Sequence, residues 1–288
     1  MYQTIKAVRI ILVLPFSLLL SCQTTVSSNS SNPQSRVSSH QLEVKNVGAI
    51  PTPKGFERVD YSAGHMASYL RNIRLKTNNQ VMLYNGELKW NQSYNYAVLD
   101  IDIGNKNLQQ CADATMRLRA EHLYQLGKYE DIKFHFTSGH LATWQAYSKG
   151  YRPKISGSSV HFVKSADVDT SYANFRAYLD LIFTYCGTHS MRKEVINIKY
   201  KDVEPGDVLL QNGNPYGHAI TIMDVAQDSS GKRLVLLSQS YMPAQDIHIL
   251  HNFANSNQNP WYYLVETLST STPEWTFPAH ALVRWMRE

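Results

Sequence analysis

A cysteine, a histidine and a glutamine stand at positions from which they could together cleave an amide bond. Cys111 lies near the start of a predicted helix, His218 opens a predicted strand, and Gln239 ends the next strand. A thiolate nucleophile needs a base within hydrogen-bond reach, and the imidazole that serves as base needs a partner that fixes its orientation. The elements that carry these three residues decide whether they meet.

The helix predicted over residues 108–126 presents Cys111 on its inward face. Its inward positions recur at spacings of three and four: Leu108, Cys111, Thr115, Leu118 and His122. Asn107 is the predicted N-cap and Gly127 the stop. Because the unpaired N–H groups of a helix N-terminus stabilise a thiolate, we expect the pKa of Cys111 to be lowered.

The sequence also fits two other interpretations of Cys111. Cys111 and Cys186 could form a disulfide, or both could be buried thiols that pack as small apolar groups. Cys186 follows the far end of a helix predicted over residues 171–183. It lacks the setting of a nucleophile, and we interpret it as structural.

His218 belongs to a predicted hairpin. Pro205, Gly206 and Asp207 form a turn before an apolar strand, and Gly217 precedes His218 at the start of the next strand. His218 could instead be a surface histidine in a loop. His122 shares the face of Cys111 but lies about 16 Å along the helix at 1.5 Å per residue, too far to be its base.

Gln239 and Gln110 complete the predicted catalytic group. The strand of Gln239 follows that of His218, and its side-chain oxygen can accept the imidazole N–H. Gln110, like Gln109 before it, could direct an amide N–H at a developing oxyanion. Asp224 is an alternative partner for His218, although six residues along one strand place it about 20 Å away.

We predict neither a metal nor another cofactor. His248 and His251 are three residues apart without an acidic pair at ligand spacing, which makes a zinc site there weak. A metal-dependent hydrolase built on His218, Asp224 and His248 is a further alternative. The formal charge of +5, without a basic run that interleaves aromatic residues, excludes nucleic acid as the expected partner.

The N-terminus has the pattern of an exported lipoprotein. Basic residues precede an apolar run that is too short to span a bilayer, so residues 1–21 are a predicted signal peptide. Cys22 follows Leu-Leu-Ser, which resembles a bacterial lipobox, and this resemblance implies acyl chains on Cys22. Membrane attachment is therefore expected, at the outer membrane more than the inner. Residues 22–44 are polar and predict a disordered tether.

Residues 45–288 are predicted to form one α+β domain, with helices packed on an antiparallel sheet. Helices are expected at 61–71, 108–126, 141–147 and 171–183. Strands are expected at 81–84, 94–103, 132–136, 208–210, 219–225, 234–240, 261–264 and 281–285.

Five motifs together resemble the bacterial domain-of-unknown-function 4846 family. They are Gln109-Gln-Cys-Ala-Asp-Ala114, Phe134-His-Phe-Thr-Ser-Gly139, Pro205-Gly-Asp207, Gly217-His-Ala219 and Gln239-Ser-Tyr-Met-Pro-Ala-Gln245. The resemblance implies an exported protein or lipoprotein and assigns no activity.

The order of Cys111, Gly206-Asp207, His218 and Gln239 is also similar to that of the NlpC/P60 and papain-like cell-wall hydrolases. In that class a helix opens with Asp-Cys-Ser-Gly, where this chain has Gln110-Cys111-Ala112-Asp113. The similarity implies a papain-like fold and a hydrolase of amide bonds in peptidoglycan peptide. The alternative is a catalytically inactive binding or scaffold lipoprotein of the envelope.

Overall fold

The computed structural model of the protein describes residues 44–157, 159–213 and 216–286. The predicted signal peptide, Cys22 and the tether up to residue 43 lie outside the described residues. None of the described helices combines the length and the apolar character that crossing a bilayer would require.

Five α-helices and fifteen strands are formed within the described residues. The helices are α1 (Met66–Asn72), α2 (Cys111–Gln125), α3 (Trp144–Ser148), α4 (Tyr172–Tyr185) and α5 (Thr188–Met191). The strands are β1 (Glu57–Arg58), β2 (Asn95–Val98), β3 (Lys133–His135), β4 (Leu141–Thr143), β5 (Tyr151–Ser156), β6 (Ser159–Lys164), β7 (Val195–Asn197), β8 (Val208–Gln211), β9 (His218–Gln227), β10 (Arg233–Gln239), β11 (His248–Leu250), β12 (Trp261–Tyr262), β13 (Thr270–Ser271), β14 (Thr276–Phe277) and β15 (Leu282–Trp285).

One antiparallel sheet of nine strands organises the fold. Its main order is β2-β11-β10-β9-β8-β15-β7, while β1 pairs with β9 and β12 with β10. The long strand β9 is buried over nearly its whole length, and its sequence from Ala219 to Ala226 is apolar except for Thr221 and Asp224. Three two-stranded hairpins, β3–β4, β5–β6 and β13–β14, lie outside this sheet.

The two faces of the sheet have separate apolar cores. Helix α2 packs on one face, where Ala112 and Met116 share a cluster with Ala219 of β9. The other face carries Ile220, and Phe277 of β14 packs against it. Because side chains alternate along a strand, His218 projects to the same face as Ile220. Its ring indeed stacks on Phe277, with the ring centroids 5.7 Å apart.

The α+β class and the antiparallel sheet are confirmed, together with the hairpin of β8 and β9 and its neighbour β10. Strand β10 ends at Gln239, ahead of Pro243, which cannot donate a backbone hydrogen bond. Strands β12 and β15 join the sheet as predicted.

Several predicted elements are wrong in type or extent. Residues 81–84 form only isolated bridges, through Met82 and Leu83, and no strand. Residues 141–143 are a strand, and only the second half of the predicted helix at 141–147 is helical. The N-cap of α2 is Gln110 and not Asn107, whose side-chain oxygen instead accepts the backbone N–H of Ala244 at 2.8 Å.

Two buried carboxylates of the sheet are neutralised by arginines. Arg284 binds Asp207 through two hydrogen bonds of 2.7 and 2.8 Å. Arg58 and Arg71 both bind Asp224, at 2.6 and 2.8 Å, and the carboxylate is fully buried. A buried carboxylate without such partners would be strongly destabilising, so these pairs fix the turn before β8 and the far end of β9.

Removing the Asp224 charge should therefore destabilise the fold. We expect Asp224→Asn to lower the free energy of unfolding by about 3 kcal/mol, because two partly buried guanidinium groups lose their counter-charge. Urea denaturation monitored by circular dichroism measures the change.

Asp180→Asn is the matched control. Asp180 forms a 2.7 Å pair with Lys106, whose side chain is 61% exposed, and we expect a change within about 1 kcal/mol. Equal losses in the two variants would contradict a structural role specific to Asp224.

Candidate active site

Cys111 is the first residue of α2, and its thiol lies against the start of β9. Its Sγ is 3.9 Å from the carbonyl oxygen of Gly217, and the backbone N–H of Ala219 also stabilises the sulfur. The thiol thus contacts the backbone on both sides of His218. Among the hydrogen bonds of the described residues, none joins Sγ to the imidazole itself.

The expected lowering of the Cys111 pKa is wrong for this structure. Burial and the nearby Asp113 raise the pKa of the thiol to about 11, although backbone N–H groups of Cys111, Ala112 and Ala219 act in the opposite direction. Only 8% of Cys111 is exposed, so desolvation of the thiolate outweighs the helix N-terminus. The resting cysteine is a neutral thiol.

His218 and Gln239 meet as the sequence predicted. The Nε2 of His218 is 3.0 Å from the side-chain oxygen Oε1 of Gln239, and both residues are buried. Burial lowers the pKa of His218 to about 4, against a smaller upward effect of Gln239, and the charge of Lys89 lowers it further. The resting histidine is therefore a neutral imidazole.

A buried ion pair fixes which nitrogen of His218 carries the proton. Gln239 Nε2 donates to Glu274 at 2.5 Å, and Lys89 pairs with the same carboxylate oxygen at 2.5 Å. An ionised carboxylate only accepts hydrogen bonds, so the amide of Gln239 must turn its nitrogen toward Glu274 and its oxygen toward His218. His218 then donates through Nε2–H, which leaves the lone pair on Nδ1 as its basic site.

His248 is a further member of this buried polar group. Its Nδ1 lies 2.9 Å from the carbonyl oxygen of Asp246, and its Nε2 lies 3.5 Å from the amide nitrogen of Gln239. The first contact requires an N–H on Nδ1, so Nε2 is an acceptor for Gln239. Burial lowers the pKa of His248 to about 3. The side-chain nitrogen of Gln239 thus has two acceptors, Glu274 and the Nε2 of His248.

Aromatic rings close the site from solvent. The ring centroids of Tyr241, Trp275 and Phe277 lie 5.0 to 5.7 Å from that of His218. Trp275 is anchored by its indole N–H, which donates to Gln211 at 2.9 Å.

Two surface pockets, of about 410 and 670 Å³, lie beside His122, and neither is lined by the predicted catalytic residues.

Gln110, the predicted oxyanion residue, lies directly beside Cys111 as the N-cap of α2. Its side-chain nitrogen donates one hydrogen bond to Asn107 at 3.2 Å. The backbone before it is held by Ser240, whose hydroxyl donates to the Gln109 carbonyl at 3.0 Å. Since Ser240 directly follows Gln239, the cysteine loop and the end of β10 are tied together.

The remaining candidates do not join this group. Asp224 is bound by its two arginines at the other end of β9, so it is not the partner of His218. The described residues contain no cluster of three side chains able to hold a metal ion, and His218, Asp224 and His248 do not converge. Cys111 and Cys186 are both free thiols, so the disulfide alternative is not formed.

Lys89 and Glu274 belong to this polar group, although the sequence pattern did not indicate them. Glu274 is the sole charged residue between Glu266 and Arg284, and Lys89 is followed by ten uncharged positions. The sequence signal for each of them is a single charge among aromatic and small polar residues. Such a charge must either be exposed to solvent or be paired with an opposite charge in the interior. Their separation of 185 residues hid the pairing.

The comparisons with known proteins identify the family. Residues 47–284 match a family described as a domain of unknown function (4846), and the chain belongs to that family. No curated protein and no solved structure matches the chain.

The state of His218 can be measured directly. We expect NMR to show an imidazole protonated at Nε2 only, which stays neutral until the pH falls to about 4, because burial disfavours the cation. An unfolded histidine takes up its proton near pH 6.5. This ring therefore reduces the stability of the fold as the pH falls from about 6.5 to about 4.

The His218 signal is assigned by its loss in His218→Asn. Protonation near pH 6.5, or a proton on Nδ1, would contradict the buried hydrogen-bond chain.

Proposed function

We propose that this protein is a thiol hydrolase of the bacterial cell envelope that cleaves amide bonds in peptidoglycan peptide. Cys111 is the nucleophile, His218 the general base and acid, and Gln239 the residue that orients the imidazole. The observation that carries the proposal is the arrangement of these three residues. The Cys111 thiol contacts the backbone next to His218, and the imidazole of His218 is hydrogen-bonded to Gln239 at 3.0 Å. The similarity of motif order to the NlpC/P60 and papain-like hydrolases supports the substrate class.

The proposed reaction begins from a neutral pair. Nδ1 of His218 accepts the thiol proton as Sγ of Cys111 forms a bond to the substrate carbonyl carbon, which gives a tetrahedral oxyanion. The C–N bond then breaks, and the imidazolium donates its proton to the leaving amine. Water, deprotonated by His218, hydrolyses the resulting thioester, and the proton returns to Sγ.

The buried ion pair suits this proton transfer. Glu274 holds the Gln239 amide, and Gln239 in turn accepts from the Nε2–H of His218, so the ring keeps its basic Nδ1 available. When His218 becomes a cation, the Gln239 oxygen remains its acceptor. Glu274 and Lys89 are thus positioning residues in the proposed mechanism.

The start of α2 is the proposed oxyanion site. Backbone N–H groups of Cys111 and Ala112 lie close enough to Sγ to affect its pKa. Gln110 retains a second amide hydrogen beyond the one given to Asn107. Both kinds of donor are suited to a negative oxygen that forms next to Sγ.

A binding or scaffold protein without catalysis is the second candidate. The observation that favours it is the closed site, in which burial raises the pKa of Cys111 to about 11 and His218 is 1% exposed. Hydrolysis requires Tyr241 or Trp275 to move aside for the substrate. It also requires the imidazole of His218, which projects to the face of Ile220, to turn toward Cys111 of α2, which packs on the other face. The two candidates therefore differ in whether substrate gains access to Cys111.

The attachment to a membrane belongs to the same proposal. Cys22, after the predicted signal peptide, would carry acyl chains, and two or more chains give stable anchoring. The tether would then separate the domain from the lipid. An outer-membrane position would bring the site to peptidoglycan.

Catalysis by Cys111 can be tested with purified peptidoglycan. We expect the purified protein to release peptide fragments, and Cys111→Ala to abolish that release because no other group replaces the nucleophile. Mass spectrometry of the soluble fraction identifies the fragments and the bond cleaved.

Cys186→Ala is the matched control. Cys186 is the other thiol in the described residues, bonded to the His135 carbonyl at 3.3 Å, and its loss should leave the release within about twofold of wild type. Release that survives Cys111→Ala refutes the mechanism. A wild-type protein that folds but releases nothing supports the binding protein.

The anchor has a separate test. We expect Cys22→Ala to move the protein from the membrane fraction to the soluble fraction and to abolish incorporation of labelled palmitate, because no other cysteine lies in the segment before residue 44. Retention of the variant in the membrane fraction, with label still incorporated, would show that the anchor lies elsewhere.

A further inference from the structure

Five rings form a connected aromatic surface at one edge of the main sheet. Trp90 is 83% exposed and Phe253 64% exposed. Tyr94 meets both of them edge-on, with ring centroids 6.3 and 6.2 Å apart. His251 stacks on Phe253 at 5.6 Å, and Tyr96 meets His251 at 5.5 Å. We name this set, Trp90, Tyr94, Phe253, His251 and Tyr96, the aromatic ladder.

The sheet holds the ladder in a fixed arrangement. Strand β2, at the edge of the sheet, pairs with β11, and the backbone N–H of His251 donates to the Tyr94 carbonyl at 2.9 Å. The side chain of Asn259 bonds to the His251 ring at 3.1 Å. Two segments distant in sequence thereby present their rings side by side.

The composition of these two segments points to an uncharged ligand. Residues 90–98 and 251–261 contain no Asp, Glu, Lys or Arg, in a chain that is 18% charged. They are rich in amides, and Asn255 and Asn257 are exposed. A surface for nucleic acid or an acidic polymer would need cations for the phosphate or carboxylate groups.

A saccharide has the matching chemistry. The C–H groups of a sugar ring carry partial positive charge and are attracted to the negative face of an aromatic ring. Its hydroxyl groups can both donate to and accept from Asn and Gln amides. Rings in succession with amides at the rim therefore suit consecutive units of a neutral glycan.

The ladder also adjoins the candidate active site. Lys89 directly precedes Trp90, its ammonium lies 5.7 Å from the centroid of the Tyr94 ring, and it pairs with Glu274 at 2.5 Å. Glu274 in turn bonds to Gln239, the partner of His218. A polymer held on the ladder would therefore lie beside Lys89 and Glu274, the pair that holds Gln239.

We propose that the aromatic ladder binds the saccharide units of a glycan. The role of the ladder in substrate binding rests on the proposed function. In that function, the ladder would hold the glycan strand of peptidoglycan. Saccharide binding itself needs no thiol and can be tested without one.

Calorimetric titration tests the ladder with a soluble β-1,4-linked N-acetylglucosamine tetramer. The purified full chain carrying Cys111→Ala should bind the tetramer. Addition of Trp90→Ala or Phe253→Ala should weaken binding about tenfold each, because each removes a ring from the contact surface. The emission of Trp90 should also shift on binding, and this shift should be absent in Trp90→Ala.

Tyr263→Ala is the matched control, since Tyr263 is 50% exposed and its ring lies beside Lys232 outside the ladder. It should bind within about twofold of the parent. Absence of tetramer binding, or equal binding by Trp90→Ala, overturns the proposal. If the parent protein binds no saccharide but self-associates, and Trp90→Ala is monomeric, the ladder would instead be the contact with a second copy of the chain. Binding without hydrolysis by the wild type would leave the ladder established and refute the proposed reaction.

Discussion

The buried ion pair of Lys89 and Glu274 is the constraint on which the candidate site depends. A carboxylate in the interior must be neutralised, and here one ammonium and one amide share a single oxygen of Glu274. The amide belongs to Gln239, so the carboxylate of Glu274 determines that the amide nitrogen faces Glu274 and the amide oxygen faces His218. That direction determines the tautomer of His218, and hence which of its nitrogens can accept a proton.

The polar chain depends on segments that are far apart in sequence. His218 and Gln239 come from adjacent strands of the sheet, Glu274 lies between the short strands β13 and β14, and Lys89 comes from a loop ahead of β2. The same segment that supplies Glu274 supplies Trp275 and Phe277, which cover the imidazole. Orientation of the histidine and closure of the site are therefore produced by one piece of chain.

Closure explains the resting electrostatics. Because Cys111 and His218 are buried, both charged forms are disfavoured, and the pKa values move apart, to about 11 for the thiol and about 4 for the imidazole. In the proposed reaction, proton transfer occurs as the carbon–sulfur bond forms and requires no stable thiolate. The exposed aromatic ladder contrasts with this closed site, and a ligand held there would lie next to the segments that cover it.

The sequence by itself determined the local arrangement of the site. Helical spacing placed Cys111 in the first turn of α2, and the turn at Gly206 with the strand at His218 gave the hairpin and the bond to Gln239. Those patterns are short-range, and they depend on periodicity and glycine geometry. The sequence failed where long-range pairing decides the outcome, since Lys89 and Glu274 are 185 residues apart. It also failed on the pKa of Cys111, because a helix N-terminus is a local feature whereas desolvation depends on everything packed around the sulfur. Only the tertiary structure decided that burial outweighs the helix N-terminus.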